Sequence, residues 1–120
     1  GSTFGGNPLA AVVGNEAIDV TIEERLSDNS EILGEYFRKC LQSIVKNHDK
    51  VVEVRGRGLM NGLELVNGDI TQDLITLLRH NGLLTKSTHE NIIRLAPPLV
   101  IDKGEIDDSL DIISEFLKYI

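Results

Sequence analysis

The 120-residue sequence holds one cysteine, Cys40, one methionine, no tryptophan, and only two tyrosines and three phenylalanines. A lone cysteine excludes an internal disulfide and points to a reducing compartment, with the cytoplasm as the first expectation and the mitochondrial matrix as the alternative. Basic residues are also short: 12 Lys and Arg stand against 19 Asp and Glu, a net charge of -7. That balance argues against a nucleic-acid partner, which needs a basic face. It leaves room for a small anion, which one well-placed arginine or helix end can hold. No apolar run reaches the roughly 18 residues of a membrane span, so no membrane partner is expected. His48, His80 and His89 share no helical ligand spacing and have no cysteine at ligand spacing, so no metal site is expected. No Ser-His-Asp or Cys-His set can be assembled from spacing alone.

What is present is a globular composition, 41% hydrophobic and 26% charged, in a length that allows one domain at most, or part of one. Asn7-Pro8 reads as a helix start, with Asn as the cap and Pro in the first turn. Leu9, Val12, Val13, Ala17 and Val20 follow at helical spacing. Gly14 is a weak point there, costing about 1 kcal/mol against Ala if exposed. Thr21 to Glu24 fits a capping box, which predicts a second helix from that point. Its stripe is Ile32, Leu33, Tyr36, Phe37, Cys40, Leu41, Ile44 and Val45.

Val51 to Val66 changes period to short β-type runs, and Leu63-Glu64-Leu65 alternates as a strand does. Two strands joined by a tight turn at Arg55 to Gly58 are predicted. Asn67-Gly68 signals a turn, Asp69 is a candidate cap for a third helix, and Asn81-Gly82 ends that helix. Leu83 to Lys86 and Ile92 to Leu95 read as two further short strands, the second stopped by Pro97-Pro98. Asp102 with Glu105 caps a last helix bearing Ile106, Leu110, Ile113, Leu117 and Ile120. The predicted order is helix, helix, strand, strand, helix, strand, strand, helix, an α+β layer in which helices cover a small sheet.

Three stretches invite a chemical reading. Gly56 to Gly62, GRGLMNG, has the wrong spacing for a dinucleotide loop and runs into a strand instead of a helix, so a structural turn is favoured. Arg94 lies inside the apolar run IIRLAPPLVI. Either it faces solvent while Ile93 and Leu95 face inward, or it is an arginine at a strand end aimed at a carboxylate, which its planar fork suits. The opening GSTFGG offers the hydroxyls of Ser2 and Thr3 and glycine backbone N–H groups to an anion. Its alternative is a flexible terminus.

GSTFGGNPLA, VRGRGLMNGLEL and NGLLTKSTHENIIRLAPPLVI, in that order, resemble the C-terminal part of class III aminotransferases, and within the class its ornithine-converting branch. The resemblance covers the whole chain. It implies the C-terminal small α+β domain of a fold-type-I enzyme, with a small, mostly antiparallel sheet covered by helices. Residues 1–20 would be a cofactor-phosphate loop and linking helix, and residues 21–120 the small domain. It further implies pyridoxal 5'-phosphate as cofactor, ornithine and 2-oxoglutarate as substrates, and a homodimer. Ser2 and Thr3 match the loop that hydrogen-bonds the cofactor phosphate of the neighbouring subunit, and Arg94 matches the arginine that binds a substrate carboxylate. The family's catalytic lysine precedes the Gly-Ser-Thr loop, so these residues alone are expected not to transaminate. Two other readings stay open: a non-catalytic module that binds a small carboxylate or a partner protein, and another branch of the class, such as the acetylornithine enzymes.

Overall fold

The computed structural model describes residues 1–120. Its elements run α1 (Pro8–Glu23), α2 (Leu26–Val45), β1 (Val51–Arg57), β2 (Met60–Leu65), α3 (Gly68–His80), β3 (Lys86–Thr88), β4 (Ile92–Leu95) and α4 (Lys103–Leu117). This is the predicted order. The four strands form one sheet in the order β1-β2-β4-β3, with every neighbouring pair antiparallel.

Alternation along the strands divides the sheet into two faces. Val54, Asn61, Leu63, Leu65, Ile93 and Leu95 are buried, on the face that the helices cover. Glu53, Arg55, Met60, Gly62, Glu64, Ile92, Arg94 and Lys86 alternate with the inward set and belong to the open face. The core is aliphatic apart from Phe37: it joins Leu41 of α2, Leu74 and Leu78 of α3, and Ile106, Leu110, Ile113 and Leu117 of α4 to the inward strand residues. The last helix starts as predicted. Asp102 Oδ1 accepts from the Glu105 amide at 2.9 Å, and Glu105 Oε2 accepts from the Asp102 amide at 3.0 Å.

Several local expectations are corrected. Thr21 does not cap a second helix. It lies inside α1, where its hydroxyl donates to the Ala17 carbonyl at 2.7 Å, the back-bonding a mid-helix threonine adopts. The break falls at Arg25, in the left-handed region at φ 52°, and α2 begins at Leu26. Asn67, not Asp69, caps α3, accepting from the Ile70 amide at 3.0 Å. The β1–β2 turn sits two residues later than predicted, at Gly58-Leu59, because Gly58 takes the positive φ of 53°. β3 is Lys86–Thr88 instead of Leu83 to Lys86. Ile32, predicted on the inner stripe of α2, is 67% exposed.

Helix α2 meets the β1–β2 hairpin backbone to backbone. A Cβ on Gly34 would come within 2.0 Å of the Gly58 carbonyl oxygen. Arg38 donates to that same carbonyl and, at 2.9 Å, to Asn61 Oδ1. Ser30 Oγ accepts from the Leu59 amide at 3.1 Å. GRGLMNG is thus a structural turn clamped by three residues of α2. The clamp is imperfect, because the buried Asn61 Nδ2 has no hydrogen-bond partner.

Helix α1 differs from the rest. Leu9, Val12, Val13, Ile18 and Ile22 are each at least 59% exposed, and no residue of α1 is buried. It touches α2 and no other element.

Candidate functional site

The β3–β4 hairpin positions Arg94. Its turn is three residues long, with His89 and Glu90 both in the left-handed region and the Asn91 amide donating to the His89 carbonyl at 2.7 Å. That turn sets the register Thr88 to Ile92, Ser87 to Ile93 and Lys86 to Arg94. Ile93 and Leu95 are buried and Arg94 is exposed, so the alternation that sequence allowed is present. Exposure does not leave Arg94 on a flat surface. It lines a cleft of about 500 Å³ with Lys86, Leu83, Pro97, Ile106 and Ser109 among its walls. Thr85 Oγ1 donates to the Arg94 carbonyl at 2.6 Å and ties the residue before β3 to β4.

One side of this cleft is α4, and α4 is fixed to α2 by a polar clasp. The Tyr36 hydroxyl donates to Asp107 Oδ1 at 2.6 Å, and Lys103 Nζ meets Asp107 Oδ2 at 2.7 Å. Lys103 Nζ also lies 4.5 Å from the Tyr36 ring centroid, within cation–π range. The Lys103 ammonium, then the Tyr36 hydroxyl, hold the Asp107 carboxyl below the usual carboxylate range. Asp107 in turn raises both Lys103 and Tyr36 above their ordinary values. On the open face of the sheet, Arg55 bridges Glu53 and Glu64. Glu64 first, and Glu53 second, hold its guanidinium above its ordinary value.

Ser2 and Thr3 do not line the cleft. They stand exposed on the turn before α1. The Gly5 amide donates to the Ser2 carbonyl at 3.3 Å, and the Phe4 carbonyl accepts from Asn7 Nδ2 at 2.8 Å. Gly6 has a φ of 78°, and a Cβ on Gly5 would come within 3.2 Å of Ser2 Cβ. The turn's own bonds therefore use backbone carbonyls and the Asn7 side chain. The Ser2 and Thr3 hydroxyls remain as donors for an anion such as a phosphate, while the N-terminus of α1 is already capped by Asn7. No three His, Cys, Asp or Glu side chains gather as a metal ion would require. His48 Nε2 is 2.8 Å from the Leu117 carbonyl, a tie to the end of α4. Cys40 is half-buried against the core.

Sequence reading missed the roles of Arg38 and Ser30 and the pairing of Lys86 with Arg94. The first two belong to a clamp between segments distant in sequence, which no local pattern reveals. Lys86 was legible in principle. Centring the hairpin on Glu90 pairs residues whose numbers sum to the same value, and that places Lys86 against Arg94.

This fold and these stretches define the class. The model for aminotransferase class-III matches residues 1–117, and the chain belongs to that family. Among its relatives, an ornithine aminotransferase of Staphylococcus carnosus is 51% identical over 111 residues, 92% of this chain. Ornithine aminotransferase 2 of Staphylococcus saprophyticus is 50% identical over the same share of this chain. The chain spans 27% of the length of each of these relatives. Among solved structures, an acetylornithine aminotransferase from Elizabethkingia anophelis has a TM-score of 0.93 at 43% identity, over 100% of this chain and 32% of that one. The ornithine δ-aminotransferase of Plasmodium falciparum has a TM-score of 0.92 at 40% identity, over 99% of this chain and 31% of that one.

Proposed function

We propose that these residues form the C-terminal part of an ornithine aminotransferase, which moves the δ-amino group of ornithine to 2-oxoglutarate and yields glutamate semialdehyde and glutamate. In this reading Arg94 binds a substrate carboxylate. Ser2 and Thr3 donate to the phosphate of pyridoxal 5'-phosphate held by the neighbouring subunit of a homodimer. Residues 1–20 serve as cofactor loop and linking helix, and residues 21–120 as the small domain. The cofactor supplies the electron sink for amino transfer. The residues present here bind and orient, and the 120 residues alone do not transaminate. The expected compartment is the cytoplasm, where a lone thiol stays reduced.

The observation that carries the reading is Arg94. It is an exposed guanidinium in a cleft on a chain half identical to ornithine aminotransferases. Ser2 and Thr3 do not line the Arg94 cleft, which supports a phosphate loop that serves a second subunit. In the full-length enzyme, Arg94→Ala is expected to lower kcat/KM for 2-oxoglutarate ten- to hundredfold, the loss of a charge-assisted bond of about 1.5–3 kcal/mol. Unchanged steady-state kinetics with both ornithine and 2-oxoglutarate would remove the assigned role.

A second reading, an acetylornithine aminotransferase, is favoured by the Elizabethkingia structure, whose identity to this chain matches that of the ornithine enzymes of known structure. Comparing kcat/KM for ornithine and for its acetylated form decides between the two.

A further inference from the structure

We infer that Asn61 is a positioning residue for Arg94: its buried bond to Arg38 selects one of two β1–β2 registers that the hydrophobic pattern leaves equivalent. This rests on the reading of Arg94 proposed above and extends it to a residue with no role in binding so far.

Asn61 is costly where it stands. It is 3% exposed, on the inward face of β2 in line with Leu63 and Leu65. Its Oδ1 faces Arg38, which can only donate, and its Nδ2 has no partner within the protein. The chain itself buries that amide, so no segment outside these residues reaches it. An unpaired buried donor costs stability, and a leucine in its place would not. A local rule broken at such a cost points to a functional constraint. Fixing register is the best-attested use of a buried polar residue.

The β1–β2 hairpin has two registers to choose between. Gly58 can be the first residue of a two-residue turn, with Leu59, or the second, with Arg57. Glycine suits both places. The two pairings differ by two residues, so every strand residue keeps its face. In the register present, Val54 is opposite Leu63 and Gly56 is opposite Asn61. In the other, Val54 would be opposite Asn61. Burial alone does not separate the two, but Asn61 does. Its Oδ1 lies 2.5 Å from where a Cβ on residue 56 would stand, in space that is open only because that residue is glycine. There it accepts from Arg38 at 2.9 Å, while Arg38 also holds the Gly58 carbonyl. The other register would bring the Val54 side chain beside Asn61 and part Asn61 from Arg38.

The choice reaches Arg94 through β2. Gly62, the next residue, is opposite Arg55 on one side and Arg94 on the other, and Asn61 itself is opposite Leu95. A slip of two residues moves β2, and β4 with it, about 7 Å along β1. Arg94 would then stand in a different place relative to α2 and to a bound carboxylate. Asn61 touches no substrate in this account. It keeps the guanidinium where the substrate meets it.

The test uses the full-length holoenzyme and the variants Asn61→Leu, Asn61→Asp, Arg94→Ala and the Asn61→Leu, Arg94→Ala double variant. Asn61→Leu is expected to raise KM for 2-oxoglutarate about fivefold, as the fraction of molecules with Arg94 in place falls, and to leave kcat unchanged. Its thermal midpoint is expected to hold or rise, because the unpaired amide is gone. Asn61→Asp keeps the acceptor for Arg38 and is expected to keep the wild-type KM. In the double variant, Asn61→Leu is expected to add nothing to the loss from Arg94→Ala. An unchanged KM in Asn61→Leu overturns the inference, as does a raised KM in Asn61→Asp or an additive double variant. A lower midpoint or a failure of Asn61→Leu to fold also overturns it, since the pair would then hold the core and not the register. If Arg94→Ala impairs 2-oxoglutarate use and Asn61→Leu does not, the carboxylate site stands and only the Asn61 role falls. If Arg94→Ala has no effect, both fall.

Discussion

Helix α1 and the remainder of the chain are held together by different physics. The body, from Leu26 to Leu117, closes a core of sixteen residues drawn from three helices, three of the four strands and two connecting segments. Helix α1 has sixteen residues and buries none of them. Local signals define it: Asn7 accepts from the Ala10 amide at 2.8 Å, and Pro8 presets the first turn. A single helix of this length is marginal in water without a packed face. Its apolar residues, spread around the helix and not confined to one stripe, suit a position between other elements. The body thus specifies itself, whereas α1 is specified as a helix but not as to what it packs on.

Paired substitutions sharpen this contrast. The largest separation is expected between Leu41→Ala and Val12→Ala in the 120-residue chain. Leu41 is fully buried, so its truncation should cost about 2–5 kcal/mol in urea unfolding. Val12 is 66% exposed, so its truncation should change the midpoint by about 0.5 kcal/mol or less. Comparable losses would mean that α1 and the body form one cooperative core.

The next pair is Gly34→Ala and Gly14→Ala. The added methyl at Gly34 would collide with the Gly58 backbone, whereas at Gly14 it meets nothing within 4 Å. Gly34→Ala should destabilise by about 1–3 kcal/mol. Gly14→Ala should favour helix by about 1 kcal/mol, seen as greater far-ultraviolet ellipticity with an unmoved body midpoint. Opposite signs from one chemical change are the signature sought.

The smallest effect concerns the α2–α4 clasp, a feature only the body has. Asp107 is held below its unfolded value near about 3.9. The stability it contributes is therefore present above that value and is lost as pH falls through the lower folded one. Asp107→Asn should be less stable than the parent near neutral pH, and the two should converge in acid once pH has fallen through the lowered folded value. High salt should shrink the difference, because the pair is solvent-exposed. A gap that persists in acid would assign the effect to packing.

The same contrast explains what was legible in the sequence. Elements whose signals are complete within a few residues read correctly. The Asp102–Glu105 box, the Ile92–Leu95 strand stopped by Pro97, and the α4 stripe are examples. Errors arose where two local signals competed and tertiary contacts decided. Thr21 matched a cap pattern but stayed in the helix, and Gly58 took the turn because α2 packs against that carbonyl. For the site, Arg94 stood out as a charge in an apolar run, but its cleft depends on α4 and on the chain after Gly82. Ser2 and Thr3 gained a meaning only from family resemblance, since hydroxyls on a glycine turn are common.

The hairpin turn from His89 to Asn91 makes no contact with the cleft, yet it acts as the spacer that decides which side chains meet there. One residue more or fewer would slip the ladder by one step and bring a residue other than Lys86 opposite Arg94, while sending strand residues to the wrong face. Loop length is therefore a chemical parameter of this protein, open to engineering by insertion and deletion as much as by substitution.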